Sequence, residues 1–426
     1  MRIKGEQIQQ HNVEKEKIDK QSFSVLYDQL TNNGHDVDHI IEQIGLFQVA
    51  IPSWALGAGG TRFGRFPIGG EPNSLERKIE DVGLLHALNR SSKGISLHIP
   101  WDIPGDIEAI KQQAHEHELI FDAVNSNTFQ DQKGQEYSYK YGSLSHIDPG
   151  VRKQAIDHNI EVIRYGERLG SHALTLWLAD GSCFPGQQNF RKAFQRTLGS
   201  LEEIYGSLPE DWSLFIEYKP YEPNFYSMVI PDWGTSSLLT GKLGKKASTL
   251  VDLGHHLPNA NIEQIVATLL MEDKLGGFHF NDSSYGDDDL TAGSMKPFQL
   301  FLIFNELIEG VDSHLANEKL SWMIDASHNI KDPMEDLLQS VEAIKTAYAK
   351  ALLIDGKALE EYRQSNDPVM AQQVLQDAFN VDVRPLLREA RTRNDAASAP
   401  LELYRELNIR NQLIEERGKE TMATGL

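Results

Sequence analysis

Along most of the chain, short runs of apolar residues alternate with longer segments in which apolar positions recur every three or four residues. Runs of about four to eight residues bounded by turn formers mark buried strands, and the longer recurrence marks helices packed against them. The first run is FQVAIP at 47–52, followed by GISLHIPWD (94–102), FDAVNSNTF (121–129) and ALTLWLADG (173–181). FIEYK (215–219), TLVDLGHH (249–256), GGFHFND (276–282) and SWMIDASHN (321–329) complete the set. Helical patterns such as SLERKIEDVGLLHAL (74–88) and GVRKQAIDHNIEVIRYGERLG (150–170) separate them. Eight strand-then-helix units give an expected fold class of α/β, a (β/α)8 TIM barrel.

The two ends differ from this middle. Residues 14–46 read as two helices divided by the breaker NNGH (32–35), a leading segment expected to cover part of the barrel. Beyond 330 the strand signals stop, so 1–330 is assigned to the barrel and 331–426 to a helical extension expected to contact partner subunits. Within it, RPLLREARTRNDAASAP (384–400) reads as a basic, loosely structured connection. Between the first strand and its helix lies ALGAGGTRFGRFPIGG (55–70), whose glycines do not match G-x-G-x-x-G. A flexible loop is the better reading than a dinucleotide cradle.

Composition narrows the function. With 426 residues and 40% hydrophobic content the chain can build a large core. Asp and Glu number 62 against 41 Lys and Arg, a net charge of -21, which disfavours nucleic-acid binding. One cysteine, Cys183, excludes an internal disulfide framework and fits a reducing compartment. No run approaches the ~20 apolar residues of a membrane helix, and MRIKGEQIQQHNVEKEKIDK lacks a signal-peptide core, so a cytoplasmic protein with no membrane partner is expected.

The chemistry sits at the ends of the last four strands. Active sites of such barrels are built at the carboxyl ends of the strands. Glu217, Asp252, His279 and Asp325 occupy equivalent ends of four consecutive strands and should ring one point. Three carboxylates and an imidazole suit Mn²⁺, Mg²⁺ or Co²⁺ better than structural zinc, and the crowded charge calls for a cation. Glu217 can also bridge to a second ion with His255, Asp287 and Asp289, the last two sharing one side of an extended loop while Asp288 faces away. Lys219 shares the inward face with Glu217 through the two-residue strand period. A strand-end carboxylate alone is more often a helix cap, Asp287 to Asp289 alone a solvated turn, His98 a packed histidine, and Trp54, Trp101 and Trp177 core. Four ligands in register outweigh those readings, whereas Lys219 is evenly a charge-balancing partner or a group binding substrate oxygen.

These strand-end residues, with WALGAGGTRFGRF (54–66) and HIPWD (98–102), resemble the L-rhamnose isomerases of the broad-specificity bacterial type, within the xylose isomerase-like TIM barrels. The resemblance spans about Phe47 to Asn329. It implies a homotetramer with two divalent ions, manganese preferred, that interconverts aldoses and ketoses by moving hydrogen between C1 and C2 of the open-chain sugar. It implies one ion on Glu217, Asp252, His279 and Asp325 and another on Glu217, His255, Asp287 and Asp289. His98, Trp177 and Lys219 match sugar-contacting positions, Trp54 and Phe129 apolar walls, and Phe63 a loop residue that reaches a neighbouring subunit's site. Asp289, Lys219 and His98 are the candidate catalytic groups, with hydride and enediol routes both open. A sugar 3-epimerase, a metal-dependent phosphodiesterase of the same fold and a non-catalytic sugar-binding protein are the rivals; the acidic balance disfavours the second, and Lys219 and the extra ligands the third.

Overall fold

In the computed structural model of the chain, residues 3–57, 66–310, 320–327 and 330–419 are described. The strand expectations are met by eight parallel strands: β1 (Ile51–Pro52), β2 (Gly94–Ser96, resumed at His98–Ile99), β3 (Ile120–Phe121, resumed at Val124–Ser126), β4 (Ala173–Leu176), β5 (Ser213–Glu217), β6 (Ala247–Asp252), β7 (Leu275–Phe280) and β8 (Ser321–Ile324). Each pairs with the next in chain order, through registers such as Ile51 to Ile95, His98 to Asn125, Leu250 to Glu217 and Asp252 to His279. A parallel bridge from Ala50 to Met323 joins the first unit to the eighth and closes the barrel. The Ala50 amide donates to Trp322 O at 2.7 Å, and Ala50 O accepts from the Ile324 amide at 3.0 Å. Closure pairs the first barrel unit with the eighth and aims all eight carboxyl ends at one mouth.

Small residues let the strands converge below that mouth. Ala123, Ala173, Phe215 and Leu250 form a buried cluster of their own. A Cβ at Gly276 would stand 2.6 Å from the Phe215 ring, and one at Gly277, with φ at +143°, only 2.1 Å from Ser321 O. Glycine is therefore required where β7 begins, and it sets the position of His279 three residues on.

The helices are α1 (Gly5–Asn32), α2 (Val37–Leu46), α3 (Leu75–Asn89), α4 (Ile107–Glu116), α5 (Pro149–Leu169), α6 (Phe190–Gly206), α7 (Trp233–Leu243), α8 (Ile262–Met271), α9 (Pro297–Gly310) and α10 (Pro333–Ala351). Most begin at a side-chain cap, among them Ser74, Asp106, Asn189, Asp232, Asn261 and Asp332, each accepting from an amide of the first turn. α10 follows β8 and packs on α9, so the eighth strand also has its helix. Five more follow: α11 (Gly356–Gln364), α12 (Pro368–Asn380), α13 (Arg384–Arg393), α14 (Pro400–Glu406) and α15 (Ile409–Arg417). The loose connection expected over 384–400 is corrected by α13, which buries Leu386, Leu387 and Ala390. α1 packs mainly on α13 and α2 rather than on the barrel wall. His11 meets Glu406 at 2.7 Å and Asp19 meets Arg388 at 2.9 Å, so the two chain ends hold each other. Among the described residues no helix is long and apolar enough to cross a membrane.

Candidate metal centre

β5 and β6 end in Glu217 and Asp252, His279 is the last residue but one of β7, and Asp325 directly follows β8. Staggered registers, with Glu217 beside Leu250, Asp252 beside His279 and His279 beside Met323, bring these side chains together, and one ligand atom from each falls within 4.8 Å of all the others. The His279 Nδ1 lies 3.3 Å from Glu217, 3.7 Å from Asp252 and 3.6 Å from Asp325. It is buried, yet none of these contacts has hydrogen-bond geometry. A buried nitrogen facing three carboxylate oxygens without bonding any of them is arranged for a cation between them, and this cluster can hold a metal ion.

The electrostatics point the same way. Burial works to lower the His279 pKa, but the Glu217, Asp325 and Asp252 carboxylates overcome it and hold the imidazole up at about 9. Burial pushes Asp325 up to about 8, opposed by His279 and reinforced by Asp252, Glu217 and Asp289. Burial alone would raise Glu217, but His279 and His255 draw it well below the usual carboxylate range. Metal-free, the cluster balances its charge with protons that a divalent ion would replace.

A second group adjoins the first through Glu217, whose Oε1 is 3.0 Å from His255 Nδ1. His255 Nε2 lies 2.9 Å from Asp287 Oδ1. Lys219 Nζ stands 2.5 Å from Asp287 Oδ2 and 2.6 Å from Glu222 Oε1, with the Trp177 ring centroid at 5.1 Å. The loop carrying Asp287 and Asp289 is not extended as expected: both residues have left-handed backbones, with φ of 51° and 49°. Asp tolerates that conformation, and Asp288 turns away to accept the Ser284 and Tyr285 amides. Asp287 and Asp289 still line the same side.

One cavity of about 900 Å³ at the mouth collects Trp54, His98, Phe129, Trp177, Glu217, Lys219, His255, His279, Asp287, Asp289 and Asp325. Asp252 lies beneath it, fully buried. Phe63 and His328 lie outside the described residues. His98 Nδ1 and Trp177 Nε1 are buried without partners, two donors or acceptors available to a ligand. Burial holds His98 down at about 4, so it is neutral near pH 7. Phe129 packs against Trp177 at 4.8 Å and Trp101 at 6.2 Å. Trp54 is more than a wall, since its indole N–H donates to Asp325 Oδ1 at 2.9 Å.

The residues that hold the candidate ligands in place were not singled out by the sequence pattern. Asn281 Nδ2 donates to both oxygens of Asp252, at 3.0 and 3.2 Å, and to Asp325 O at 3.2 Å. It sits two residues past His279 on the same face, a strand period that could have flagged it. Asp102 accepts from the His98 amide at 2.8 Å, from Lys78 Nζ at 2.6 Å and from the Ser53 hydroxyl, fixing the end of β2. Glu222 is buried against Lys219. Metal-ligand sites depend on such outer partners for orientation.

A protein of Rhizobium meliloti (strain 1021), named a probable sugar isomerase, is 50% identical over 395 residues, covering 93% of this chain and 92% of its own. A second probable sugar isomerase, from Mesorhizobium japonicum, is 48% identical over 423 residues, 99% of this chain and 98% of its own. No family model matches the chain. Among solved structures, an L-ribulose 3-epimerase aligns with a TM-score of 0.52 at 14% identity, covering 73% of this chain and 99% of its own. A xylose isomerase domain protein from Alicyclobacillus acidocaldarius aligns at 0.51 and 13% identity, covering 72% and 99%. At those identities the solved structures speak for the barrel fold alone.

Proposed function

The chain belongs to the same family as the two rhizobial probable sugar isomerases, and on that premise we propose that it is a metal-dependent aldose-ketose isomerase of the L-rhamnose isomerase type. Its proposed reaction converts L-rhamnose to L-rhamnulose, with activity on other aldoses. The observation that carries this reading is the sharing of Glu217 between two ligand groups: its Oε1 lies 3.3 Å from His279 and 3.0 Å from His255. A single-ion site has no use for a second set of ligands around the same carboxylate.

Glu217, Asp252, His279 and Asp325 would hold one divalent ion, and Glu217, His255, Asp287 and Asp289 the other. Their oxygen-rich donor sets suit Mn²⁺, Co²⁺ or Mg²⁺, and the resemblance to the L-rhamnose isomerases favours manganese. Bound there, the ions would supply Lewis-acid polarisation of O1 and O2 of the open-chain sugar. The chain's own groups do the rest. His98, neutral and with a free ring nitrogen, and the Trp177 indole N–H can bond sugar hydroxyls. Phe129 and Trp54 present apolar faces to the carbon chain. Lys219, held between Glu222 and Asp287, presents positive charge where oxygen becomes negative as hydrogen moves between C1 and C2. Asp289 is the candidate base: on an enediol route it, or a water it holds, would take the C2 proton. Tolerance of several sugars fits a mouth walled largely by aromatic rings and loops.

A homotetramer in the cytoplasm completes the proposal. Exposed Tyr141, Ile147, Phe184, Tyr226 and Tyr285 on the loops around the mouth support association through that end.

The test is ketose formation by the EDTA-stripped protein, with and without Mn²⁺, on L-rhamnose, L-mannose, D-allose and D-xylose, beside Asp289→Ala. Manganese-dependent conversion that the variant loses supports the isomerase. Two equivalents of bound metal with no conversion of any of these sugars would overturn it, and C3 epimerisation of a ketose would replace it with the epimerase.

A further inference from the structure

A second pocket, of about 700 Å³ and partly open to solvent, lies away from the mouth, lined by α2, α10, α13, residues 291–294 and residues 398–402. Its wall is apolar over much of its area, with Leu300, Leu338, Val341 and Leu387 among the residues that line it. Set into that wall are basic side chains, in a protein whose net charge is -21.

Most of those cations already have carboxylate partners. Arg391 is paired with Glu342, Arg388 with Asp19 and Lys331 with Asp336. Lys345 and Lys350 are the exceptions. Lys345 is buried and donates only to the carbonyls of Ile44 and Phe47, and Lys350 donates only to that of Phe379. Among the described residues neither lysine has a carboxylate within ion-pair distance. The carboxylates on the wall, Glu342 and Glu402, are taken by Arg391 and Lys15. The Ser398 hydroxyl, 2% exposed and lining the same cavity, has no hydrogen-bond partner.

We propose that this cavity is a binding site for a small organic anion with an apolar body, its carboxylate or sulfonate end meeting Lys345, Lys350 and the Ser398 hydroxyl. An anion there would provide the missing counter-charge, while the apolar body would cover wall that is otherwise in contact with water. Burial holds Lys345 down at about 7, as expected of an ammonium group lacking a counter-ion. The site also has a route to the barrel mouth. Residues 291–294 continue the loop that carries Asp287 and Asp289, and Lys331, bonded to the Thr291 hydroxyl, follows Asp325 by six residues in sequence.

The site stands independently of the isomerase reading, and so does its test. The full-length protein is titrated with 1-anilinonaphthalene-8-sulfonate, an aromatic sulfonate whose fluorescence rises in apolar surroundings, and the complex is challenged with benzoate. The expected result is saturable binding of one equivalent, displaced by benzoate, weakened at least tenfold by Lys350→Met and abolished by Ala343→Phe, which fills the cavity. Lys350→Met decides the matter alone if Ala343→Phe fails to fold. The proposal is overturned by non-saturable binding, by failure of benzoate to compete, by an affinity unchanged in Lys350→Met, or by loss of binding in Trp177→Ala, which would put the dye in the barrel mouth.

Discussion

Trp54 and Asp325 face each other across the seam where the barrel closes, the indole N–H donating to Oδ1 at 2.9 Å. The loop after β1 thereby orients a candidate ligand that follows β8, two units otherwise joined at their strands by the bridge from Ala50 to Met323. Oδ1 is held by the tryptophan, and Oδ2 faces His279 at 3.6 Å. Trp54→Phe keeps an aromatic ring and removes only the donor. Partners of metal ligands typically contribute about 10–100-fold in affinity. The Mn²⁺ dissociation constant of the site should therefore rise by about tenfold or more, while thermal stability falls only by about one hydrogen bond's worth, ~1 kcal/mol. An unchanged dissociation constant in a calorimetric titration would show that the bond does not orient Asp325.

Lys219 makes a different prediction. Its ammonium group is locked between Asp287 at 2.5 Å and Glu222 at 2.6 Å, in a wall that also holds Trp177. If this charge serves the reaction, Lys219→Met should lower kcat by roughly 10²-fold or more, the usual cost of losing one preorganised donor. The Glu217, Asp252, His279 and Asp325 cluster should meanwhile still bind one equivalent of Mn²⁺. Loss of all metal binding would instead make Lys219 a structural counter-charge.

Why some of this was legible in the sequence and some was not is a matter of distance along the chain. Glu217, Asp252, His279 and Asp325 could be read because each ends an apolar run, and closure of a parallel barrel makes equivalent strand ends neighbours. Lys219 followed from the two-residue period. Asp102 could not be read, because its burial is offset by Lys78, 24 residues earlier on a helix, and only the folded chain brings them to 2.6 Å. Asp287 and Asp289 reach the cavity for a reason other than the expected one, since a left-handed backbone at both positions does what alternation in an extended loop would have done. α13 was hidden by its arginines: their charge masked Leu386, Leu387 and Ala390, whose spacing along one face is what packs.

The acid limb of stability should carry the mark of His86. It is buried in α3 with Nδ1 unbonded, and burial, with Arg90 nearby, holds its pKa down at about 4. The unfolded chain takes up this proton near pH 6.5 and the folded chain only near 4. Between those values the unfolded state binds more protons, so stability is fully present above about 6.5 and declines as pH falls towards 4. The contribution is on the order of a few kcal/mol. Replacing the titrating ring in His86→Leu should make the dependence of unfolding free energy on pH shallower by up to one proton between 4 and 6.5. Identical slopes for variant and wild type in denaturant titrations at several pH values would remove His86 from the account.

The last helix among the described residues, α15, is tied to the barrel by an ion pair as buried as any other among them. Arg417 of α15, its side chain 0% exposed, makes two bonds to Asp81 of α3, at 2.7 and 2.8 Å, a third to Gly70 O at 3.1 Å and a fourth to Glu80 at 3.3 Å. Removing one partner of such a pair strands the other charge in a low-dielectric site, at a cost of about 3–5 kcal/mol, whereas replacing both with apolar groups is often neutral. Arg417→Met should thus destabilise the whole chain by roughly that amount, and adding Asp81→Leu should recover most of it. Because the pair joins α15 to α3, the loss should appear as a shift of one cooperative transition shared by barrel and extension. If Arg417→Met instead released an early, separate transition and left the main one in place, the C-terminal helices would be an independent unit resting on the barrel.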